Sequence, residues 1–281
     1  MFKKRTYALV ILITLIAALS FSCSIEKKIA KEYIRDDSTR TVLVIPPDYI
    51  FKKSLKEWQL DSTGALDDWT RDSLLIENSM FLKNIDDSLF LYHYLGNYVA
   101  ELQNLGFKVY GQDSLLSFLS GQSRAFIVNM AQLEIEEYIM PVKEEEQFGD
   151  FIYYEEVDLN AINLNSWIEI SRVNEDEDKA LFFASHYLTD DLEGYFRYYF
   201  FTGEVVFNYD IDTIPMENVY RLAALAGYTY AGYTFDYLMN KYIDKRMEQE
   251  TRDRSKIYYH YSRNGKYIDE AKEDQRFIPM K

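Results

Sequence analysis

The chain holds one cysteine, Cys23, at the end of an uncharged apolar run from Thr6 to Phe21. With no second cysteine there is no intramolecular disulfide, so whatever folds beyond residue 23 is held by an apolar core. The composition permits one: 48% of the 281 residues are hydrophobic and 27% charged, far from the low-hydrophobicity range of disordered chains. One cysteine and three histidines are too few for a structural zinc cluster.

The segment before Cys23 has three parts: Met-Phe-Lys-Lys-Arg, the apolar run, and Ser22-Cys23-Ser24. This is the pattern of an export signal over residues 1–22, and its apolar stretch falls short of the about 20 residues needed for a permanent membrane span. Leu19 and Ser22 occupy the large and small positions ahead of the cysteine, so the site resembles a bacterial lipoprotein lipobox. Ser20 and Phe21 make it looser than the Leu-Ala-Gly-Cys form, as in Bacteroidota-type lipoproteins. The resemblance implies that Cys23 is acylated (palmitate) and that the protein is an outer-membrane lipoprotein. Surface-exported members carry acidic residues straight after the cysteine, whereas here Ser24-Ile-Glu-Lys-Lys28 follows; a periplasm-facing location is expected.

Removal of Lys3, Lys4 and Arg5 with the signal leaves 28 basic residues against 46 acidic ones, a formal charge of −18. Nucleic-acid binding, which depends on a basic surface, is disfavoured, and so is broad attraction to anionic headgroups. Membrane attachment then rests on the lipid, at about 0.8 kcal/mol per buried methylene.

Residues 23–40 are polar, with Ile25, Ile29, Tyr33 and Ile34 spaced for a short helix but too sparse for a core one; a lipid-anchored tether is expected. Thr41 to Ile45, closed by Pro46-Pro47, reads as a buried strand. Helical spacing follows around Leu74 to Leu82, then from Asp86-Asp87-Ser88 to a stop at Gly106. Phe107 to Tyr110 is a strand and Asp113 to Ser120 a short helix. From Arg124 the period is two, through Phe126, Val128 and Leu133-Glu-Ile-Glu136. After an acidic excursion from Glu144 to Asp150, strands are expected at 151–154, at 162–170 and at 180–184, the last two as an antiparallel pair. Tyr195 to Phe201 and Val205 to Ile211 extend the sheet or form a flap. Pro215 opens a long helix whose Ala223, Gly227 and Ala231 form a small-residue line suited to close approach to a sheet. The prediction is an α/β (α+β) fold: a mixed sheet with an antiparallel strand pair, flanking helices and a long C-terminal helix, in a single domain over 41–247 with a polar tail over 248–281.

Thr41 to Pro46, Leu102 to Tyr110, Ala125 to Asn129 and Trp167 to Ile170 follow one another as in the α/β domain shared by the Tol-system propeller protein, the curli secretion lipoprotein and the activator lipoproteins of peptidoglycan synthases. The resemblance covers about half of the mature chain and rests on element order. It implies a binding or assembly module of the cell envelope and carries no residue-level role.

No phosphate loop, dinucleotide fingerprint, nucleophile elbow or His-Glu-x-x-His occurs, so no catalytic, cofactor-binding or metal-binding residue is assigned. Ser24-Ile-Glu-Lys27 matches Ser-x-x-Lys, but beside the anchor it is a chance match. His93, His186 and His260 read as satisfied or exposed side chains. Asn174, Asp176 and Asp178 mimic a calcium loop, yet Lys179 stands where glycine is required. Glu134 and Glu136 lie two apart on a strand, hence on one face about 7 Å apart, overlapping the spacing of inverting glycosidases; Asp210 and Asp212 form a similar pair. A solvated sheet face explains both, and a glycan-binding or glycan-hydrolysing lipoprotein using Glu134 and Glu136 is the alternative. The unusual feature is 25 Tyr and 18 Phe. Tyr153-Tyr154 and Tyr198-Tyr199 place adjacent rings on opposite strand faces, which offers exposed Tyr for a protein partner. The expectation is a non-enzymatic accessory that binds another envelope protein.

Overall fold

The run that opens the fold forms strand β1, Arg40–Ile45, buried along most of its length because it sits inside a sheet covered on both faces there. The computed structural model describes residues 24–36, 40–56, 67–120, 125–173, 175–247 and 257–280. Cys23, the export signal and Asn174 lie outside the described residues. The chain divides into two units: Thr39–Tyr233 with Glu273–Lys281, and Met1–Ser38 with Thr234–Lys272.

The larger unit is mixed α/β. Its strands are β1, β2 (Phe51–Ser54), β3 (Phe107–Tyr110), β4 (Ala125–Phe148), β5 (Phe151–Arg172), β6 (Glu175–Thr189), β7 (Asp191–Tyr199), β8 (Glu204–Asp212) and, near the carboxy terminus, Ile278–Pro279. One sheet runs in the order β3-β1-β4-β5-β6, with Ile278–Pro279 along the free edge of β6 and β2 paired to β4. β3 and β4 flank β1 in parallel, Val42 facing Val109 on one side and Phe126 on the other. β4, β5 and β6 are antiparallel. The predicted antiparallel pair is therefore present within a mixed sheet.

Helices follow from local signals. Asp67 caps α2 (Asp68–Glu77), its carboxylate accepting the Thr70 amide. Asp86 caps α3 (Asp87–Asn104), accepting Leu89 N–H at 2.9 Å, and the chain leaves α3 through Gly106 at φ +87, the left-handed exit that glycine permits. The inward face of α3 buries Phe90, Tyr94, Tyr98 and Leu102. A short helix, α4 (Leu115–Leu119), seats Phe118 on Leu43 and Ala125.

Sequence pattern and structure part company in two places. The acidic excursion at 144–150 is not a loop: β4 continues through it, and Gly149, at φ +63, turns the chain with Asp150 into β5. Charges at both parities hide a strand whose rings are supplied by its partner, since Glu145 faces Tyr154 and Glu146 faces Tyr153. Of the two alternatives for 195–211, the flap holds: β7 and β8 form their own two-stranded sheet, in which the Phe207 ring covers Gly194 where a Cβ would stand. Finally, the small-residue line of the long helix α5 (Met216–Met247) meets another helix rather than the sheet. A Cβ on Gly227 would collide with the Tyr94 carbonyl oxygen of α3 and stand 3.2 Å from the Tyr98 nitrogen. The terminal segment is pinned by Phe277, buried against Phe182 with ring centroids 5.3 Å apart.

The smaller unit comprises α1 (Ile25–Arg35), residues 234–247 of α5, and the hairpin β9 (Tyr259–Ser262) with β10 (Tyr267–Glu270). The expected short helix forms, with Ser24 as its cap. Against expectation its sparse apolar residues suffice for burial: Ile29, Ala30 and Tyr33 are buried, Tyr33 edge-on to Phe235 at 5.5 Å. The hairpin is held by Asn240, whose amide exchanges two hydrogen bonds with the Tyr259 backbone, and by buried Asp236, which accepts from Tyr261 N–H at 2.9 Å and contacts His260 Nδ1 at 2.5 Å. Burial pushes the Asp236 carboxyl above its ordinary value, while the hydrogen bond to Asp236, opposed by burial, raises His260. A raised imidazole stabilises the fold fully below its unfolded pKa and loses that contribution as pH rises through the folded value; ionising the buried Asp236 costs in the same direction. Thermal denaturation should therefore show this unit weakening as pH climbs past the ordinary imidazole range, and His260→Gln should flatten that part of the profile.

Candidate functional site

Both partner-contact tyrosine pairs lie on hairpin arms. Among the described residues, the distal part of β4 and β5, from Pro141 to Asp158, pairs only with itself, and β7–β8 forms the second arm, closed by Gly203 at φ +74. The arms touch through Phe148, which stacks on Tyr198 at 6.0 Å and meets Tyr153 edge-on at 5.9 Å. Tyr154 is exposed under the Lys143 ammonium at 4.7 Å, and Tyr199 lies under the Arg197 guanidinium at 4.9 Å. The structure thus brings one tyrosine of each named pair, Tyr153 and Tyr198, against one ring, and leaves Tyr154 and Tyr199 under neighbouring cations instead. It adds residues that sequence reasoning missed: Phe151 is 69% exposed, Phe200 80% and Phe201 99%. Large apolar side chains held out at turn tips are not core, and Phe200 and Phe201 meet edge-on at 5.9 Å. Their signal was the turn chemistry, Phe148-Gly-Asp-Phe151 and Phe200-Phe-Thr-Gly203, which puts rings where hairpins ordinarily place polar residues.

The arms are rooted in a buried polar clasp. Glu137 accepts Lys56 Nζ at 2.7 Å, Met80 N–H at 2.9 Å and Phe81 N–H at 2.8 Å. Lys56 also donates to Asn160 Oδ1 at 2.8 Å, and Asn160 donates through its backbone N–H and its amide to Asp190 Oδ2. Asp190, at the joint between β6 and β7, receives Ile214 N–H at 2.9 Å just before α5. Burial alone would raise Glu137, but the Lys56 hydrogen bond, the two amides and the Lys56 charge hold it below its ordinary value. β4, β5, the chain leaving β2, the joint between β6 and β7 and the approach to α5 are fixed to one another by these side chains.

Glu134 and Glu136 share the open face of β4, as their spacing requires. Glu136 Oε2 accepts Asn165 Nδ2 at 2.8 Å and Asn163 Nδ2 at 3.3 Å; Glu134 accepts Gln132 Nε2 at 3.3 Å. Burial, then the Glu136 charge, raises the Glu134 carboxyl. The pair lies side by side on one strand, within an amide network on a sheet face.

The remaining motifs resolve locally. Ser24 Oγ accepts Lys27 N–H as the helix cap. His93 packs beside Tyr220 at 5.9 Å. His186 Nδ1 lies 3.1 Å from Tyr230 Oη, and burial lowers its pKa. Asp210 and Asp212 face Glu193 and Asp191 across the β7–β8 arm. Among the described residues no group of three or more His, Cys, Asp or Glu is placed to hold a metal ion, and no helix is long and apolar enough to cross a membrane. No family model matches the chain, and no curated protein matches it in sequence.

Proposed function

We propose that this chain is a non-enzymatic lipoprotein of the bacterial outer membrane, anchored through Cys23 and facing the periplasm, which docks an envelope protein on the tips of its two arms. The observation that carries the reading is the set of rings held in water at those tips, Phe151, Phe200 and Phe201. Interface centres are enriched in aromatic residues. Around them stand Glu144, Glu145, Glu146, Asp150, Glu155 and Glu204, so the complementary partner presents basic residues about an apolar centre, and encounter is electrostatically steered. The element-order resemblance to envelope assembly modules supports the same reading.

The test is a double variant, Phe200→Ser/Phe201→Ser, expressed in the native host and cross-linked before detergent extraction. A stoichiometric partner should be recovered with the parent protein and reduced at least tenfold with the variant, whose melting should match the parent because both rings are exposed. Equal recovery would remove the arms from the reading. The anchor is tested separately: Cys23→Ala should abolish labelling by a palmitate analogue and move the protein from the membrane to the soluble fraction. Persistent labelling and sedimentation would sink the lipobox assignment.

A further inference from the structure

We infer that the open face of the sheet across β2, β4, β5 and β6 is a binding platform for a short neutral oligosaccharide, a site separate from the arms. Register sets its layout. Lys53, Glu136, Asn163 and Tyr187 lie in one row across the four strands; Phe51, Glu134, Asn165 and Ser185 form the next; Gln132, Trp167 and Phe183 form a third.

An ordinary solvated face carries side chains that hydrate independently. Here they are locked together: besides the two amides on Glu136, Asn163 Nδ2 donates to Asn165 Oδ1 at 2.9 Å and Ser185 Oγ donates to Asn163 Oδ1 at 2.6 Å. Asn165 is only 6% exposed at the centre. A network held this way loses little side-chain freedom when a ligand arrives.

Carboxylate acceptors and amide donors alternate at strand spacing, about 4.8 Å. A hydroxyl, which donates and accepts at once, satisfies both kinds of neighbour. Rings bracket the polar centre: Trp167 against Phe183 at 5.2 Å on one side, and Tyr187, 66% exposed, on the other. They suit the apolar C–H face of a sugar ring. From the Tyr187 row to the Trp167 row is four residues of strand, about 14 Å, room for several sugar rings end to end.

Charge and topology narrow the occupant. Two carboxylates beside the single ammonium of Lys53 repel an anionic ligand, and the interleaved amide donors favour a polyhydroxyl ligand over a simple cation. β4 and β5 are paired on both edges here, which leaves no backbone ladder for an added peptide strand. An apolar helix laid on the face would strand the amides without water.

The experiment uses the full chain in a polyoxyethylene detergent, because maltoside and glucoside detergents would compete. Chitotetraose and cellotetraose are titrated by calorimetry and by ligand saturation-transfer NMR, with spermidine as the cationic control. Expected is saturable binding of at least one sugar, weakened at least fivefold by Tyr187→Ala, whose exposed ring can go without unfolding the sheet, and unaffected by Phe200→Ser/Phe201→Ser. The proposal is overturned if neither sugar binds saturably, if only spermidine binds, or if Tyr187→Ala, melting as the parent does, binds with less than a fivefold loss. Loss of sugar binding in the Phe200→Ser/Phe201→Ser variant would also overturn it, by placing the site on the arms.

Discussion

Replacing Glu137 with Leu is expected to lower stability by about 3 to 5 kcal/mol, the cost of breaking a buried ion pair by deleting one partner. Lys56 would be left charged and nine-tenths buried, and the Met80 and Phe81 amides would lose their acceptor, each orphaned group adding its own desolvation penalty. Lys56→Met alone should cost less, because Glu137 keeps both amides. The double variant Lys56→Met/Glu137→Leu should therefore lose less than the sum of the two singles, a coupling that a double-mutant cycle measures directly. The clasp also gives an acid limit. Glu137 is held below its ordinary pKa, so its contribution is complete above the unfolded carboxylate value and disappears as pH falls through the folded one. Urea denaturation of the purified full chain between pH 3 and 7 should show that loss in the parent and not in Glu137→Leu. Simple additivity in the cycle would mean that the two side chains do not act as a pair.

The clasp was almost readable in advance. In Leu133-Glu-Ile-Glu-Glu-Tyr138 the apolar parity runs through Leu133 and Ile135, and Glu137 continues it as a carboxylate. A charge on the buried parity demands a partner, but nothing local names Lys56, 81 residues away. What was legible shares a local cause: β1 from its β-branched run, β3 as a short extended run after Gly106, α3 from its Asp86 cap, helical spacing and Gly106 stop, the face shared by Glu134 and Glu136 from strand alternation. What was not legible is set by other strands. The arm strands at 144–156 carry rings and charges at both parities and are exposed along most of their length, so no period survives to reveal them. Asn163 and Asn165 fall on the open face as alternation requires, yet their link to Glu136 exists only after β4 and β5 pair in register.

Gly227 is the second position where a large effect is expected, and here helix propensity alone points the wrong way. A continuous helix with a glycine at an ordinary helical position should gain about 1 kcal/mol from Gly→Ala, through the reduced entropy of the unfolded chain and better helix propensity. α5 is continuous, but the added Cβ would meet the Tyr94 carbonyl, and a backbone atom inside α3 cannot step aside as a side-chain tip can. Gly227→Ala should thus destabilise by about 1 to 3 kcal/mol in spite of the propensity gain, and Gly227→Leu by more. Gly232, five residues on in the same helix, has no heavy atom within 4 Å of its virtual Cβ, and neither has Gly96 on α3. Alanine at either should raise stability by up to about 1 kcal/mol, which for a domain of this size is roughly 2 to 4 °C in melting midpoint. The opposite signs within one helix separate the two causes. If propensity governed α5, Gly227 and Gly232 would respond alike; if α3 and α5 cross at backbone contact, only Gly227 loses. A Gly227→Ala protein melting at or above the parent would mean that the helices stand farther apart than Tyr94 and Gly227 do here.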